Sequence, residues 1–263
     1  MYKHIVFERR PLEDIRKDIE SASSLYGDVA RTVFIGDSNS LVVGTDDVVA
    51  VLCLLYRLFP NIERVTSYAR AKTLYKKPLE ELKRLRAAGL TRLHVGLETG
   101  SRDLLKDIRK GATPDEFAAA GEKAKAAGFE LSLYVLLGIG GQERWREHAG
   151  DTADVLNQIN PDFIRVRTVQ PQPGSLLYDD MKAGRFTKAS HETVLREQAL
   201  LVENLRVTSQ YLSDHITNYV PVNGTLPEDR KSMLALIQEN LDALKRDTGM
   251  RQRFSRKDRI KRL

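Results

Sequence analysis

The sequence predicts an α/β protein built around a parallel β-sheet, and three patterns in its first 170 residues support this fold class. Short runs rich in Val, Ile, Leu, Tyr and Thr, which are typical of strands, alternate with segments of helical periodicity. The strand-type runs start roughly thirty residues apart, which is the length of one βα unit. The helical segments begin at proline and end at glycine. Repeated βα units predict a parallel sheet, either open or closed into a barrel.

These patterns place the elements in order along the chain. Strands are predicted at residues 31–37, 63–69, 91–98, 130–138 and 162–170. Helices are predicted from Pro11 to Gly27, from Pro78 to Gly89 and from Pro114 to Gly128. Thr113 and Glu116 form a capping box at the start of the third helix. The apolar stripe of that helix, which predicts packing on a sheet, consists of Phe117, Ala120, Gly121 and Ala124.

After Gln170 the βα pattern ends, because three helix-breaking residues follow within four positions. Two long helical stretches then appear at about residues 190–206 and 226–246, joined by an irregular segment. They predict a helical extension after the sheet.

Composition and charge restrict the function classes. Hydrophobic residues make up 41% and charged residues 30%, which is typical of a globular protein and excludes a disordered one. The formal net charge is +6, and residues 251–263 (the basic tail) carry seven basic side chains and one Asp. The rest of the chain is therefore neutral, which disfavours a body wrapped in nucleic acid. Only the basic tail is a candidate for contact with RNA.

Membrane and secreted classes are not expected. The longest apolar run, from Val48 to Tyr56, has nine residues, too few to cross a bilayer. Charged residues interrupt the start of the chain, so no signal peptide is predicted. The single cysteine, Cys53, excludes an intrachain disulfide and a multi-cysteine metal site, and it favours a cytoplasmic location. Cys53 lies in a predicted helix and is expected to be a small apolar residue beside the protein core.

The five histidines do not suggest a metal site. No pair of them has ligand spacing with a carboxylate nearby, so no metal ligand is predicted. His94 is expected to face the interior, where a lone histidine usually has a structural role. No catalytic residue is assigned.

Two strands have one face that is charged or small. Residues 91–98 alternate between an aliphatic face and a face with His94, Gly96 and Glu98. In residues 162–170, Arg165 and Arg167 share one face. A complete eight-stranded barrel fills its interior with branched aliphatics. These faces therefore indicate an interior that holds a polar ligand, with the solvated edge of an open sheet as the alternative.

Ligands of α/β proteins bind at the carboxyl ends of the strands, and polar or glycine residues occupy those ends here. Glu98 can accept hydrogen bonds from a ribose diol, and Asp37 can accept from an ammonium group. The glycines allow the backbone to approach a flat ring or a phosphate. The candidate cofactor-binding residues are Gly36, Asp37, Ser38, Ser67, Glu98, Gly100, Ser101, Gly138, Ile139, Gly140 and Arg167.

Several candidates also have a structural alternative. Glu98 would then form a buried salt bridge to Arg70, Arg165 or Arg167. Asp37 would form an Asx turn. The glycine run at residues 138–141 would only be a tight turn, since Glu143 breaks the dinucleotide fingerprint. Ser101 is also a natural N-cap for the next helix.

Several of these segments resemble radical S-adenosylmethionine (SAM) enzymes. Residues 94–101 (HVGLETGS) with 108–113 (IRKGAT) are similar to the fourth strand and helix of that superfamily. The most similar branch contains the elongator acetyltransferase subunit, the tRNA methylthiotransferases and oxygen-independent coproporphyrinogen oxidase. Residues 135–143 resemble its fifth-strand motif, residues 170–178 the turn after its sixth strand, and residues 9–15 the start of its first helix.

The resemblance implies a partial (β/α)6 TIM-type barrel, with the first strand and cluster loop missing from this sequence. The family binds a [4Fe-4S] cluster through C-x3-C-x2-C, and the cluster converts SAM to methionine and a 5′-deoxyadenosyl radical. Carried over by position, residues 36–38 match the site of the methionine amino group. Glu98 matches the ribose position, and Gly138 with Ile139 the adenine side. The cofactor implied is SAM, while the cluster ligands are absent from this chain.

Three domains are expected from this: a partial barrel at residues 1–180, a helical extension at 181–250 and the basic tail. Four functions stay open. The chain is a radical SAM domain separated from its cluster module by truncation, or a degenerate SAM- or nucleoside-binding protein. It is otherwise an acid–base barrel enzyme using Glu98 and Asp37, or an RNA-modification factor that docks through the basic tail. The substrate is not indicated by the sequence.

Overall fold

The computed structural model describes residues 8–36 and 38–258. The strands are β1 (Thr32–Ile35), β2 (Arg64–Tyr68), β3 (Leu90–Glu98), β4 (Glu130–Leu137), β5 (Phe163–Thr168), β6 (Gln210–Leu212) and β7 (Gly224–Thr225). The helices are α1 (Leu12–Tyr26), α2 (Thr45–Leu58), α3 (Ala71–Lys76), α4 (Leu79–Ala87), α5 (Arg102–Asp107), α6 (Pro114–Ala126), α7 (Trp145–Ile159), α8 (Leu176–Lys182), α9 (His191–Asn204), α10 (Arg230–Arg246) and α11 (Thr248–Lys257).

Every predicted strand and helix is present, with ends that differ by four residues or fewer. The short strands β6 and β7 were not predicted, because two or three residues are too few to show a period. The contacts divide the chain into two compact units, residues 1–95 with 119–131 (unit 1) and residues 96–118 with 132–263 (unit 2). The predicted division at residues 180 and 250 stays a prediction.

Unit 1 contains parallel strands covered by helices. β1 pairs with β2 from Thr32 opposite Arg64 to Ile35 opposite Ser67, and β2 pairs in parallel with β3. Helix α2 packs on α1 and on α4. Leu52, Leu82 and Leu85 are completely buried in its core. Unit 1 is therefore built from βα repeats, as predicted.

Cys53 is exposed, which corrects the prediction that it flanks the core. The buried stripe of α2 consists of Val48, Leu52 and Leu55. These residues recur at intervals of three and four, and Cys53 lies one position beyond the stripe, about 100° around the helix axis. The sequence alone did not show where the buried face of this apolar helix ends.

Unit 2 continues the parallel pattern. β4 pairs in parallel with β5, and β5 with β6, while the two-residue β7 runs antiparallel to β6. Helix α9 packs between α7 and α10. In β5, Ile164 and Val166 are buried whereas Arg165 and Arg167 are partly exposed, so the predicted alternation of faces is confirmed.

The first part of the basic tail is folded. Residues 251–257 form the end of α11, and the Phe254 ring stacks on Tyr219 with a centroid distance of 5.2 Å. The Arg251 side chain donates to the Leu244 carbonyl, and Lys257 donates to the Asn218 carbonyl. Two of the basic side chains that were predicted to contact RNA, Arg251 and Lys257, thus bond to backbone carbonyl groups of unit 2. RNA binding by the tail stays a prediction.

Asp258 anchors this end of the chain. Its carboxylate accepts hydrogen bonds from Tyr219 (2.6 Å), Lys188 (2.8 Å) and His191 (2.8 Å). Burial raises the pKa of Asp258, but the hydrogen bonds from His191, Lys188 and Tyr219 outweigh burial and hold the pKa below its usual range. Stability from this group is therefore present at neutral pH and is lost as the carboxylate becomes protonated in acid.

Asp258→Asn is expected to lower the free energy of unfolding by about 1–3 kcal/mol, because an amide accepts these charge-assisted bonds more weakly. Urea denaturation at neutral pH measures the change. Asp242→Asn, at a half-exposed position of α10 where the carboxylate bonds Gln238 and Lys245 of the same helix, is the matched control and should change stability by less than about 0.5 kcal/mol. Equal effects of the two substitutions would contradict the anchoring role.

Within the described residues, no helix is both long enough and apolar enough to cross a membrane.

Candidate functional site

The strand ends of unit 1 hold the first group of candidate residues. Gly36 is exposed directly after β1, and its carbonyl accepts a hydrogen bond from Ser40. Ser38 lies in the following turn, while Asp37 and its Asx-turn alternative lie outside the described residues. Ser67 is completely buried in β2, where its hydroxyl lies 3.3 Å from the Ile35 carbonyl oxygen and 3.2 Å from that of Tyr68. Ser67 therefore bonds to the sheet backbone.

Three aromatic rings meet beside these strand ends, a feature that the sequence analysis did not identify. The Phe34 ring lies 4.9 Å from Tyr68 in an edge-to-face arrangement, and both rings lie 5.9 Å from His94. Phe34 is 48% exposed and His94 only 8%. His94 is thus buried beside two aromatic rings, and its structural role stays a prediction. The three residues lie on different strands, so their sequence spacing carried no signal.

Glu98, the last residue of β3, has an unusual backbone conformation. Its φ of 67° lies in the left-handed region, which is rare for a residue other than glycine. The side chain folds back over Gly96, because a Cβ atom at position 96 would lie only 2.3 Å from Glu98 Oε1. Gly96 is therefore needed for this conformation.

Glu98 forms a salt bridge, but with a different partner from those predicted. Lys110 Nζ lies 2.7 Å from Glu98 Oε1, and the two side chains are 27% and 21% exposed, respectively. The predicted alternative, a salt bridge from Glu98 to Arg70, Arg165 or Arg167, is thus wrong about which residue is the partner. Helix α5 reverses the chain between residues 98 and 110, and this reversal brings Lys110 back to the end of β3.

Gly100 and Ser101 connect the end of β3 to α7. The Gly100 N–H donates to Thr152 Oγ1 at 2.8 Å, and a Cβ atom on Gly100 would lie 2.1 Å from the Asp151 carbonyl oxygen. Ser101 caps α5 as predicted, by accepting from the Leu104 N–H, and its hydroxyl donates to Glu147 at 2.5 Å. Hydrogen bonding to Arg144 is the main cause that lowers the pKa of Glu147. Both candidates are therefore part of tight packing.

The glycine run forms a turn and also lines a cavity. Gly138 has a φ of 81°, and the Gly141 N–H donates to the Gly138 carbonyl. Ile139, Gly140 and Gly141 line a cavity of about 290 Å³ in unit 2, together with Leu104, Ile108 and Phe186. A Cβ atom on Gly140 would lie 2.7 Å from the Arg144 carbonyl oxygen. The glycine run therefore forms a tight turn, and it also borders a cavity that a ligand can enter.

A buried polar network, missed by the sequence analysis, joins the two strand ends. Glu197 of α9 accepts from the Gly138 N–H at 2.9 Å, and its Oε1 lies 3.1 Å from His148 Nε2. On the other side of the ring, His148 Nδ1 lies 2.8 Å from Thr99 Oγ1 and 3.2 Å from Thr152 Oγ1. The contacts therefore run from the end of β4 through α9 and α7 to the end of β3, although the approach of Glu197 to His148 Nε2 does not have hydrogen-bond geometry.

Both titratable groups of this network are completely buried. Burial lowers the pKa of His148 to about 3, with the charge of Glu147 acting weakly in the opposite direction. Burial also raises the pKa of Glu197 well above its usual value, against the Gly138 hydrogen bond. The burial of isolated charges is costly, so the pair favours the neutral forms. The sequence signal that could have identified it is a Glu on the apolar face of the predicted helix at residues 190–206.

Arg167, the last candidate, lies on β5 with its guanidinium 4.8 Å from the centre of the Tyr134 ring. Unit 2 therefore contains seven of the eleven candidates, from Glu98 to Arg167, and unit 1 contains Gly36, Ser38 and Ser67.

The described residues do not fit a [4Fe-4S] cluster. The only cysteine of the sequence, Cys53, is exposed on α2. Among residues 8–36 and 38–258, no group of three or more His, Cys, Asp or Glu side chains is placed to hold a metal ion. An iron–sulfur cluster needs several thiolate ligands.

Comparison with known proteins gives a consistent result. A family model described as Radical SAM superfamily matches residues 2–152. The heme chaperone HemW of Bacillus subtilis (strain 168) is 26% identical over 158 residues, which is 59% of this chain and 41% of that protein. A probable threonylcarbamoyladenosine tRNA methylthiotransferase of Methanothermobacter thermautotrophicus is 28% identical over 81 residues, 31% of this chain and 19% of that protein. The chain thus spans about two fifths of the length of HemW.

Solved structures show the same fold. Methanocaldococcus infernus Elp3 with an N-terminal deletion aligns with a TM-score of 0.58 and 14% identity, over 89% of this chain and 59% of that chain. Coproporphyrinogen III oxidase (HemN) from Escherichia coli aligns with a TM-score of 0.50 and 16% identity, over 89% of this chain and 44% of that chain. These likenesses confirm the predicted fold class, an α/β protein of the partial-barrel type.

Proposed function

Because this chain belongs to the radical SAM superfamily, with a family match over residues 2–152, we propose that it binds S-adenosylmethionine at the strand ends of Glu98 and Gly138. The resemblance read from the sequence is confirmed at the level of the superfamily. The chemistry of that superfamily is SAM-dependent radical chemistry, which the cofactor supplies together with a reduced cluster. The proposal for this chain concerns the binding of the cofactor.

The conformation of Glu98 is the observation that carries the proposal. Left-handed backbone at a residue other than glycine costs about 1–3 kcal/mol and is concentrated at functional sites. Here it holds a carboxylate at the carboxyl end of a parallel strand, where ligands of α/β proteins bind. Lys110 is bonded to Oε1, and Oε2 has the capacity to accept a hydrogen bond from a ribose hydroxyl.

The other candidates take roles that their positions support. Ile139 and Gly140 border the cavity of unit 2 and are proposed to lie beside the adenine ring. The assignment of Gly36, Asp37, Ser38 and Ser67 to the cofactor stays a prediction from the sequence. Gly100 and Ser101 are proposed to position the binding residues of unit 2 through the hydrogen bonds described above.

The cluster is not assigned to this chain, because its residues do not fit one. Two forms of the proposal follow. In the first, cluster ligands come from outside this sequence and the domain works in a radical reaction. In the second, the chain binds SAM without redox chemistry. A C-x3-C-x2-C motif encoded in frame upstream of Met1 supports the first form, and a stop codon there supports the second.

Glu98→Gln is expected to weaken binding of S-adenosylhomocysteine by about five- to tenfold, because a carboxylate accepts diol hydrogen bonds more strongly than an amide does. Isothermal titration calorimetry measures the affinity. Lys110→Met is the matched control, since it removes the ion pair and leaves the carboxylate, and it should retain the affinity. An unchanged affinity in Glu98→Gln would reassign Glu98 to a structural ion pair with Lys110.

A further inference from the structure

Strand β5 presents two arginines on one face. Arg165 and Arg167 alternate with Ile164 and Val166, which are 0% and 1% exposed. Residues two apart in a strand point to the same side, so both guanidinium groups extend from the face opposite the buried aliphatic residues. Both arginines are only partly exposed.

Neither arginine has an acidic partner among residues 8–36 and 38–258. The ion pairs of unit 2 join other residues, such as Lys110 with Glu98 and Arg144 with Asp107. Arg165 Nε is buried and has no hydrogen-bond partner in the described part of the chain. A partly buried cation without a counter-charge is uncommon, because its desolvation is not compensated.

An aromatic ring holds the guanidinium group of Arg167 in place. Arg167 stacks on the Tyr134 ring at 4.8 Å, and Tyr134 is opposite Arg165 in the β4–β5 register. Stacking occupies the face of a guanidinium and leaves its N–H edge able to bind. Burial and, after it, the Arg167 charge lower the pKa of His215, and the exposed Asp214 acts in the opposite direction. A further positive charge on His215 is therefore disfavoured beside Arg167.

We propose that Arg165 and Arg167 bind a carboxylate or phosphate group of the substrate, so that the substrate of this domain is an anion. The planar fork of arginine matches both oxyanions with paired hydrogen bonds. Two forks that are two residues apart on one strand can reach a single phosphate or a pair of carboxylates. The assignment of this anion to the substrate rests on the proposed SAM-binding function. The anion site itself rests only on β5 and its neighbours.

The test measures binding of two probes, pyrophosphate for phosphate and succinate for carboxylate, to the full chain by calorimetry at low salt. At least one probe should bind, and Arg165→Met and Arg167→Met should each weaken it about tenfold or more. Arg196→Met is the matched control, since Arg196 is exposed on α9 and paired with Glu192, and it should leave the affinity unchanged. The probe that binds identifies the oxyanion.

Two further measurements keep the result unambiguous. Without a probe, Arg165→Met should melt at the same or a higher temperature than the wild type, because it removes a partly buried cation whose Nε has no hydrogen-bond partner in the described part of the chain. The arginine variants should bind S-adenosylhomocysteine as the wild type does. If they lose it but retain methylthioadenosine, which lacks the carboxylate, the anion is that of the cofactor and the substrate assignment is overturned.

No binding of either probe, or an equal loss in Arg196→Met, overturns the anion site itself. The proposed function fails in a different way, when the wild type binds a probe but not S-adenosylhomocysteine.

Discussion

Gly100→Ala is expected to lower the free energy of unfolding by about 3 kcal/mol or more, the upper range for overpacking a core. The added Cβ atom would lie 2.1 Å from the Asp151 carbonyl oxygen and 2.6 Å from the Thr152 Cα atom. Both atoms belong to the backbone of α7, so no side-chain rotation relieves the overlap. The end of β3 and α7 would have to separate, which also stretches the hydrogen bond from Gly100 to Thr152.

Chemical denaturation of the variant and the wild type measures this loss. Gly150→Ala is the matched control, because a Cβ atom at position 150 in α7 meets no atom within 4 Å. Alanine favours a helix over glycine by about 0.5–1 kcal/mol, so the control should gain stability. A loss below about 0.5 kcal/mol in Gly100→Ala would show that the contact of β3 with α7 is looser than the structure indicates.

The contribution of His148 to stability is expected to be lost in mild acid. The folded state holds its pKa at about 3, below the ordinary value of 6.5. As the pH falls below 6.5, the unfolded chain takes up a proton that the folded chain does not, so unfolding is favoured. The loss approaches about 1.4 kcal/mol per pH unit and reaches about 2 kcal/mol at pH 5. Above pH 7 this contribution is complete.

His148→Gln should remove this acid dependence. Urea denaturation of both proteins from pH 7 to pH 5 gives the difference in unfolding free energy at each pH. The difference should shrink or reverse towards pH 5, since only the wild type loses the His148 contribution. Parallel curves over this range would mean that His148 accepts a proton in the folded state.

Glu197→Gln tests the other half of the buried pair, and its expected pH dependence has the opposite sign. Burial raises the Glu197 pKa, so above about pH 4.5 the unfolded chain releases a proton that the folded chain retains. The contribution of Glu197 to stability is therefore lost as the pH rises through this window, and Glu197→Gln gains relative to the wild type. Together, the two variants separate the pH dependence of stability that is due to His148 from the dependence that is due to Glu197.

The order and type of the main elements followed from the sequence, because they depend on local preferences. The period of apolar residues, the prolines at helix starts and the capping box of Thr113 and Glu116 act within one turn or one strand. The structure contains that capping box, with Thr113 and Glu116 bonding each other's backbone N–H groups. The motif segments, such as residues 94–101, also identified the superfamily from the sequence alone.

The tertiary structure decided which side chains meet. Glu98 pairs with Lys110 and not with an arginine, and Glu197 meets His148 across 49 positions of the chain. Such contacts depend on how loops return the chain and how helices pack, and no local period encodes them. The buried carboxyl group of Glu197 and the arginine at position 165 without an acidic partner became visible only when burial and partners were known, because both are properties of the surroundings of a residue and not of the residue itself.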